Sequence, residues 1–109
     1  MTSTATVEES LELVNGIGPD ERDRVVDLLG RLDHRLRSYR SGSVTLLLSV
    51  KERESPGQRT TLEARLPGKP AIVATSDRAG FQEAIHEVRD DLIRQITDAK
   101  NRTEPRNSR

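Results

Sequence analysis

The chain has 109 residues, 18 Lys and Arg against 18 Asp and Glu, and no Cys. That length supports one small domain, and the lack of cysteine excludes a disulfide framework, a Cys-based zinc site and a thiol nucleophile. No apolar run approaches the roughly 18 residues of a membrane span, and the opening Met1-Thr2-Ser3-Thr4-Ala5-Thr6-Val7 lacks the basic start and apolar segment of a secretory signal, so the expected compartment is the cytoplasm.

The zero net charge conceals an asymmetry. Residues 1–23 hold six acids, Glu8, Glu9, Glu12, Asp20, Glu21 and Asp23, against Arg22 alone, which leaves the remainder basic. A split of this kind points weakly to a polyanionic partner. On charge alone an ordinary mixed surface is an equally good reading.

Residues 1–9 read as a flexible acidic arm, residues 10–100 as the ordered domain and 101–109 as a flexible basic tail. Leu11 and Leu13 alternate with Glu12 and Val14, the pattern of a short strand ended by Gly16-Ile17-Gly18-Pro19. Pro19, Asp20 and Glu21 then supply a helix start. Val25, Leu28, Leu29, Leu32, Leu36 and Tyr39 follow at three- and four-residue spacing, which predicts one helix of about five turns running to Arg40.

After Ser41-Gly42-Ser43 the period switches to two: Val44, Leu46, Leu48 and Val50 predict a strand, Thr60 to Leu66 a second, and Pro70 to Thr75 a third. Short connections make these an antiparallel meander. Phe81, Ala84, Ile85, Val88, Leu92, Ile96 and Ala99 then predict a second helix, capped by Ser76 or Asp77. The order β-α-β-β-β-α implies an α+β fold, a four-stranded sheet with both helices on one face. Thr45, Ser49, Thr61, Glu63 and Arg65 would face water on the other.

No catalytic constellation emerges. His34 and His86 fall on different predicted helices without a second His at metal-ligand spacing. Asp90-Asp91 adjoin in sequence and so point apart on a helix. Gly16-x-Gly18 lacks the rest of a dinucleotide fingerprint and is a turn. The expectation is no enzyme, no cofactor, no metal and no small-molecule substrate.

The basic residues remain. Arg24, Arg31 and Arg35 fall nearly on one line of the first helix, with Arg37 and Arg40 toward its end, a candidate phosphate-binding ridge; Arg89, Arg94 and Lys100 lie on the second. The bland alternative is a solvated face with favourable charge at helix C-termini. Tyr39 and Phe81, the only Tyr and the only Phe with no Trp beside them, both fall on apolar stripes, which leaves no stacking platform for unpaired bases. A basic helical surface without aromatics suits backbone and shape recognition of folded RNA.

Leu62-Glu63-Ala64-Arg65-Leu66-Pro67-Gly68, the strand ending in Ala74-Thr75-Ser76-Asp77, then Ala84-Ile85 and Asp90-Asp91-Leu92-Ile93-Arg94-Gln95-Ile96 resemble the ribosome hibernation-promoting factor family, which includes the ribosome-associated translation inhibitors. The resemblance covers roughly residues 10–100 and implies a fold related to double-stranded-RNA-binding domains. It further implies a non-catalytic factor, of the short form, in the tRNA and mRNA channel of the small ribosomal subunit. There it would contact 16S rRNA, on free subunits or 70S particles, and block translation under stress or in stationary phase. Arg94 and Gln95 match the family motif's Arg and Gln, and Ile85 its Ile. Asp91 stands where the motif has Lys, His86 where it has Asp, and Gln82 where it has Tyr.

Two functions follow as expectations. One is a hibernation-type factor that sets Arg24, Arg31, Arg35, Arg37, Arg40, Arg89, Arg94 and Lys100 against rRNA phosphates. The other, favoured by Asp91 and the balanced charge, is a protein-interaction or regulatory module that kept the fold and lost ribosome binding.

Overall fold

The computed structural model describes residues 3–53 and 55–103, with side chains described as far as residue 98. Every second residue is buried along β2 (Thr45–Lys51) and β3 (Arg59–Arg65), as their period of two requires. Ahead of them come α1 (Val7–Ser10), β1 (Leu11–Asn15), a 3-10 turn over Pro19–Glu21, α2 (Arg22–Leu28) and α3 (Leu32–Leu36). β4 (Ile72–Ser76) and α4 (Phe81–Thr103) complete the chain.

The sheet order is β1-β2-β3-β4. β2, β3 and β4 form the expected meander, with Leu48 opposite Leu62 and Leu62 opposite Ala74. β1 joins the other side of β2 in parallel, Leu11 opposite Leu46, because a helical crossover rather than a hairpin connects the two. Leu46, Leu48, Leu62, Ala64 and Ala74 meet Val25, Leu29, Leu32, Leu36, Ile85, Val88 and Leu92 in one core. The helices thus cover a single face, and Thr45, Ser49, Thr61, Glu63 and Arg65 lie half-buried or exposed, as expected for the other.

The expected first helix is two helices. Leu29 leaves the helical well (φ −92, ψ 7), and 3-10-type bonds take over: Gly30 N–H to Asp27 O, Leu32 N–H to Leu29 O and Asp33 N–H to Gly30 O. Gly30, about 1 kcal/mol poorer than Ala as a helix former, is where the ladder gives way. The apolar stripe survives the break, since Val25, Leu29, Leu32 and Leu36 all stay fully buried.

The expected acidic arm is also corrected, for the residues described. Ala5 and Val7 are buried, and Thr6 caps α1 by accepting from Glu9 N–H. The segment lies against the end of α3: Ala5 N–H donates to Tyr39 O (3.0 Å), Ser41 N–H to Ser3 O (2.9 Å), and Asp33 Oδ1 accepts from Val7 N–H (2.7 Å). Two apolar residues beside the acids, Ala5 and Val7, tie the segment down by burying themselves in the core.

Arg53 ties the turn after β1 to α4. Its guanidinium donates to Gly16 O (3.0 Å), grips both oxygens of Glu21 (2.6 and 2.5 Å) and lies 4.0 Å from the centroid of the Phe81 ring. Gly16 is required here: its φ is +78, and a Cβ would stand 2.0 Å from Val50 O.

The expected cap of the last helix is elsewhere. Ser76 ends β4 and its hydroxyl donates to Glu87, while Ala84 N–H donates to Gly80 O, so α4 begins at Phe81. Buried Gln58 fixes the intervening loop by donating to the carbonyls of Arg78 (2.9 Å) and Ala79 (3.1 Å). Within the expected tail, α4 continues to Thr103 and residues 104–109 lie outside the described residues.

Candidate nucleic-acid interface

The α2–α3 segment and α4 lie side by side, and their contacts advance in step along both. Arg24 Nη2 donates to Gln82 Oε1 (2.8 Å), and Arg89 Nη1 to Leu28 O (3.1 Å). Next, Arg31, His34 and Arg35 face Asp90, Ile93 and Arg94 across a shallow groove. The groove continues past Arg35 to Arg37, Tyr39 and Lys69 on one side and Ile96 and Thr97 on the other.

This geometry sorts the predicted contact residues. Arg31, Arg35 and Arg94 come together, all exposed, with exposed Arg37 next in line. Arg24 is exposed at the opposite end of the seam. Arg40 is exposed just beyond α3, its backbone bridged to Thr4. The Lys100 side chain lies outside the described residues.

Arg89 is a correction. It is 9% exposed, its Nη1 occupied by the Leu28 carbonyl that the break after α2 leaves without a helical partner, and its Nε by Asp90 (2.8 Å). A guanidinium so placed holds the two helices together and offers no face to a phosphate. Sequence spacing put Arg89 on the polar side of the helix because the long arginine stem can be buried while its head still finds partners.

Two carboxylates temper the groove. Asp90 is held below its usual range, first by the hydrogen bond from Arg89 and then by the charges of Arg89, Arg31 and His86. Asp91 pairs with Arg94 through Oδ1 and accepts from Gln95 Nε2 through Oδ2 (3.2 Å). On the far side of α4, Thr75, Arg78, Glu83, His86 and Glu87 surround a hollow of mixed charge. Among the described residues, no group of three or more His, Cys, Asp or Glu is arranged to hold a metal ion, and no helix is long and apolar enough to cross a membrane.

Lys69 was invisible to periodicity. It sits in the Pro67-Gly68-Lys69 turn after β3, its N–H donating to Leu66 O, and reaches the groove only through the tertiary fold. Tyr39 also differs from expectation, for its ring is half-buried and lines the groove.

Two solved structures share this fold. The chain is similar to the N-terminal domain of Protein Y from Thermus thermophilus, with a TM-score of 0.55 and 23% identity over 80% of this chain and 93% of that one. It is similar also to a ribosomal subunit interface protein from Coxiella burnetii, with a TM-score of 0.53 and 16% identity over 84% of this chain and 98% of that one. No protein-family profile matches the sequence, and no curated protein does. At such identities the two structures share the fold with this chain, and that fold is the one implied by the sequence resemblance to the hibernation factors.

Proposed function

We propose that the protein is a non-catalytic, hibernation-type factor of the cytoplasm that binds the small ribosomal subunit, free or within the 70S particle, and blocks translation under stress or in stationary phase. The observation that carries this reading is the convergence of Arg31, Arg35 and Arg94 on one groove, in a fold shared with a protein named for the ribosomal subunit interface. The groove would sit in the tRNA and mRNA channel against 16S rRNA. Guanidinium forks suit phosphate oxygens bidentately, and the line of Arg31, Arg35 and Arg37 presents them in series to a backbone whose spacing, rather than base sequence, selects the site. Arg24 and Arg40 extend the contact at its two ends.

Sedimentation with ribosomes of the same source through sucrose gradients tests this reading. Co-migration with small subunits or 70S particles is expected at about 50 mM salt and its loss at about 500 mM, since about five neutralised phosphates give a log–log slope of roughly −3.5 to −4.5. Absence from ribosomal fractions at the lower salt overturns the reading. It would favour the protein-interaction alternative, which the exposed acids Glu83, Glu87 and Asp90 along α4 support.

A further inference from the structure

Where the groove passes the end of α3 it deepens into a pocket whose chemistry differs from the rest of the helical layer. The adjoining stretch contains Asp90, and the hollow beyond α4 contains Glu83, Glu87, Asp90 and Asp91. This pocket has Arg35, Arg37 and Lys69 among its lining residues and, among the described residues, no carboxylate, with Ile96 and Thr97 as its far wall. Its lining therefore suits an anion that also carries apolar area.

Tyr39 supplies the matching apolar surface. Part of its ring packs on the core and part stays open to the pocket. Lys69 Nζ stands 6.0 Å from the ring centroid, the outer limit of a cation–π contact. Flat rings stack with carbon atoms about 3.5–4.0 Å apart, so a base lying on Tyr39 needs only a small outward swing of the flexible lysine. The main chain that carries the ring is held on both sides: Tyr39 N–H donates to Leu36 O (3.0 Å) and its carbonyl accepts from Ala5 N–H (3.0 Å).

We infer that this pocket takes one unstacked nucleotide, its base on the Tyr39 ring and its phosphates against Arg35, Arg37 and Lys69. The inference deepens the reading of the groove as an RNA interface and rests on it for the source of the nucleotide. It adds a stacked contact to a surface otherwise built for backbone and shape. A single-stranded or bulged position in folded RNA, whose base is free to turn outward, is the source that fits.

Tyr39 is the sole tyrosine of a chain with no tryptophan, so tyrosine fluorescence reports this pocket alone. The test titrates the full chain with four probes: inorganic phosphate, AMP, the hexanucleotide of adenylate, and a blunt RNA duplex at the same phosphate concentration. Saturable quenching by the hexanucleotide, weaker quenching by AMP and none by phosphate or duplex is the expected result. Tyr39→Leu, which keeps the apolar packing, should weaken hexanucleotide affinity, measured by anisotropy of a labelled strand, by about 5- to 150-fold, the range of a lost base–aromatic stack. Lys69→Gln lies in a turn and leaves the core alone, so it serves as the second variant. It should weaken binding several-fold while the full quench at saturation remains.

Equal effects from phosphate or duplex would overturn the inference in favour of a plain anion site, as would hexanucleotide binding that leaves Tyr39 emission unchanged. Failure of every probe would overturn it as well. AMP quenching as strongly as the hexanucleotide would uphold the pocket and assign it to free nucleotides. Quenching in a protein that never co-sediments with ribosomes sinks the ribosomal reading and keeps the pocket, whereas co-sedimentation without quenching does the reverse.

Discussion

The side-chain amide of Gln95 donates to the main-chain carbonyl of Val73 at 2.9 Å and so ties α4 to the edge strand β4. At the other edge strand Arg22 Nη1 donates to Leu11 O of β1 at 2.9 Å. Gln95 in turn donates to Asp91, whose other oxygen holds Arg94. The residue that matches the family motif's Gln is thus anchored to the sheet, and Asp91 is a bracket between that anchor and the groove.

Because Asp91 occupies the Arg94 guanidinium, it competes with any phosphate for it. Asp91→Asn should tighten RNA binding about two- to fivefold, the worth of an exposed ion pair. In an Arg94→Gln background the gain should vanish. A gain of equal size in both backgrounds, measured by filter binding, would assign the effect to general charge repulsion instead.

Arg31 and Arg35 are exposed and carry no part of the core. Arg31→Glu combined with Arg35→Glu should abolish ribosome association while far-ultraviolet circular dichroism stays as in the wild type. Undiminished co-sedimentation of the double variant would remove this groove as the contact surface.

Arg89→Leu should behave in the opposite manner. It leaves the Leu28 carbonyl without its charged donor, a loss of about 1.5–3 kcal/mol in urea unfolding. RNA affinity per folded molecule should be unchanged, since the guanidinium faces inward.

Glu21 is held down to about 2 from its ordinary 4.5, chiefly by its hydrogen bond from Arg53, then by that from Gly18 N–H. Between those values the unfolded chain binds more protons than the folded one. The stabilisation is therefore fully present above about pH 5 and is lost as the pH falls toward 2. In Glu21→Gln the denaturation midpoint should lie below that of the wild type at neutral pH, by a margin that closes below about pH 4. A constant margin down to pH 2.5 would show that Glu21 is not the titrating group.

Leu32→Asp places a carboxylate at a fully buried point of the core. It should unfold the domain or cost more than about 4 kcal/mol, the range of a buried unpaired charge. A cooperative thermal transition at the wild-type temperature would contradict the burial of this helix face.

The regular elements were legible because burial imposes a period: Leu46, Leu48 and Val50 could only be one face of a strand, and Val25 to Leu36 only one side of a helical segment. Gly30 was present as a signal for the break, but an unbroken stripe outweighed it. The ordering of Ala5 and Val7 was not legible, since two small apolar residues carry no period, and their pocket is built from α3 and β2. At the candidate site, Arg31, Arg35 and Arg94 could be read from helical spacing. Lys69 and the open side of Tyr39 could not, because each depends on where a turn or a ring lands after folding. Arg89 misled because an arginine's position on a helix wheel does not say where its guanidinium goes.

Val7 donates to an aspartate 26 residues further along the chain. During synthesis the opening segment therefore waits, with its apolar side chains unsheltered, until α3 has been made and has turned back. The same holds for the strand that follows, whose Leu11 pairs with Leu46, so this side of the sheet is sealed only by chain made some 26 to 35 residues later, and a pause in synthesis between the two would leave Val7 and Leu11 without their cover.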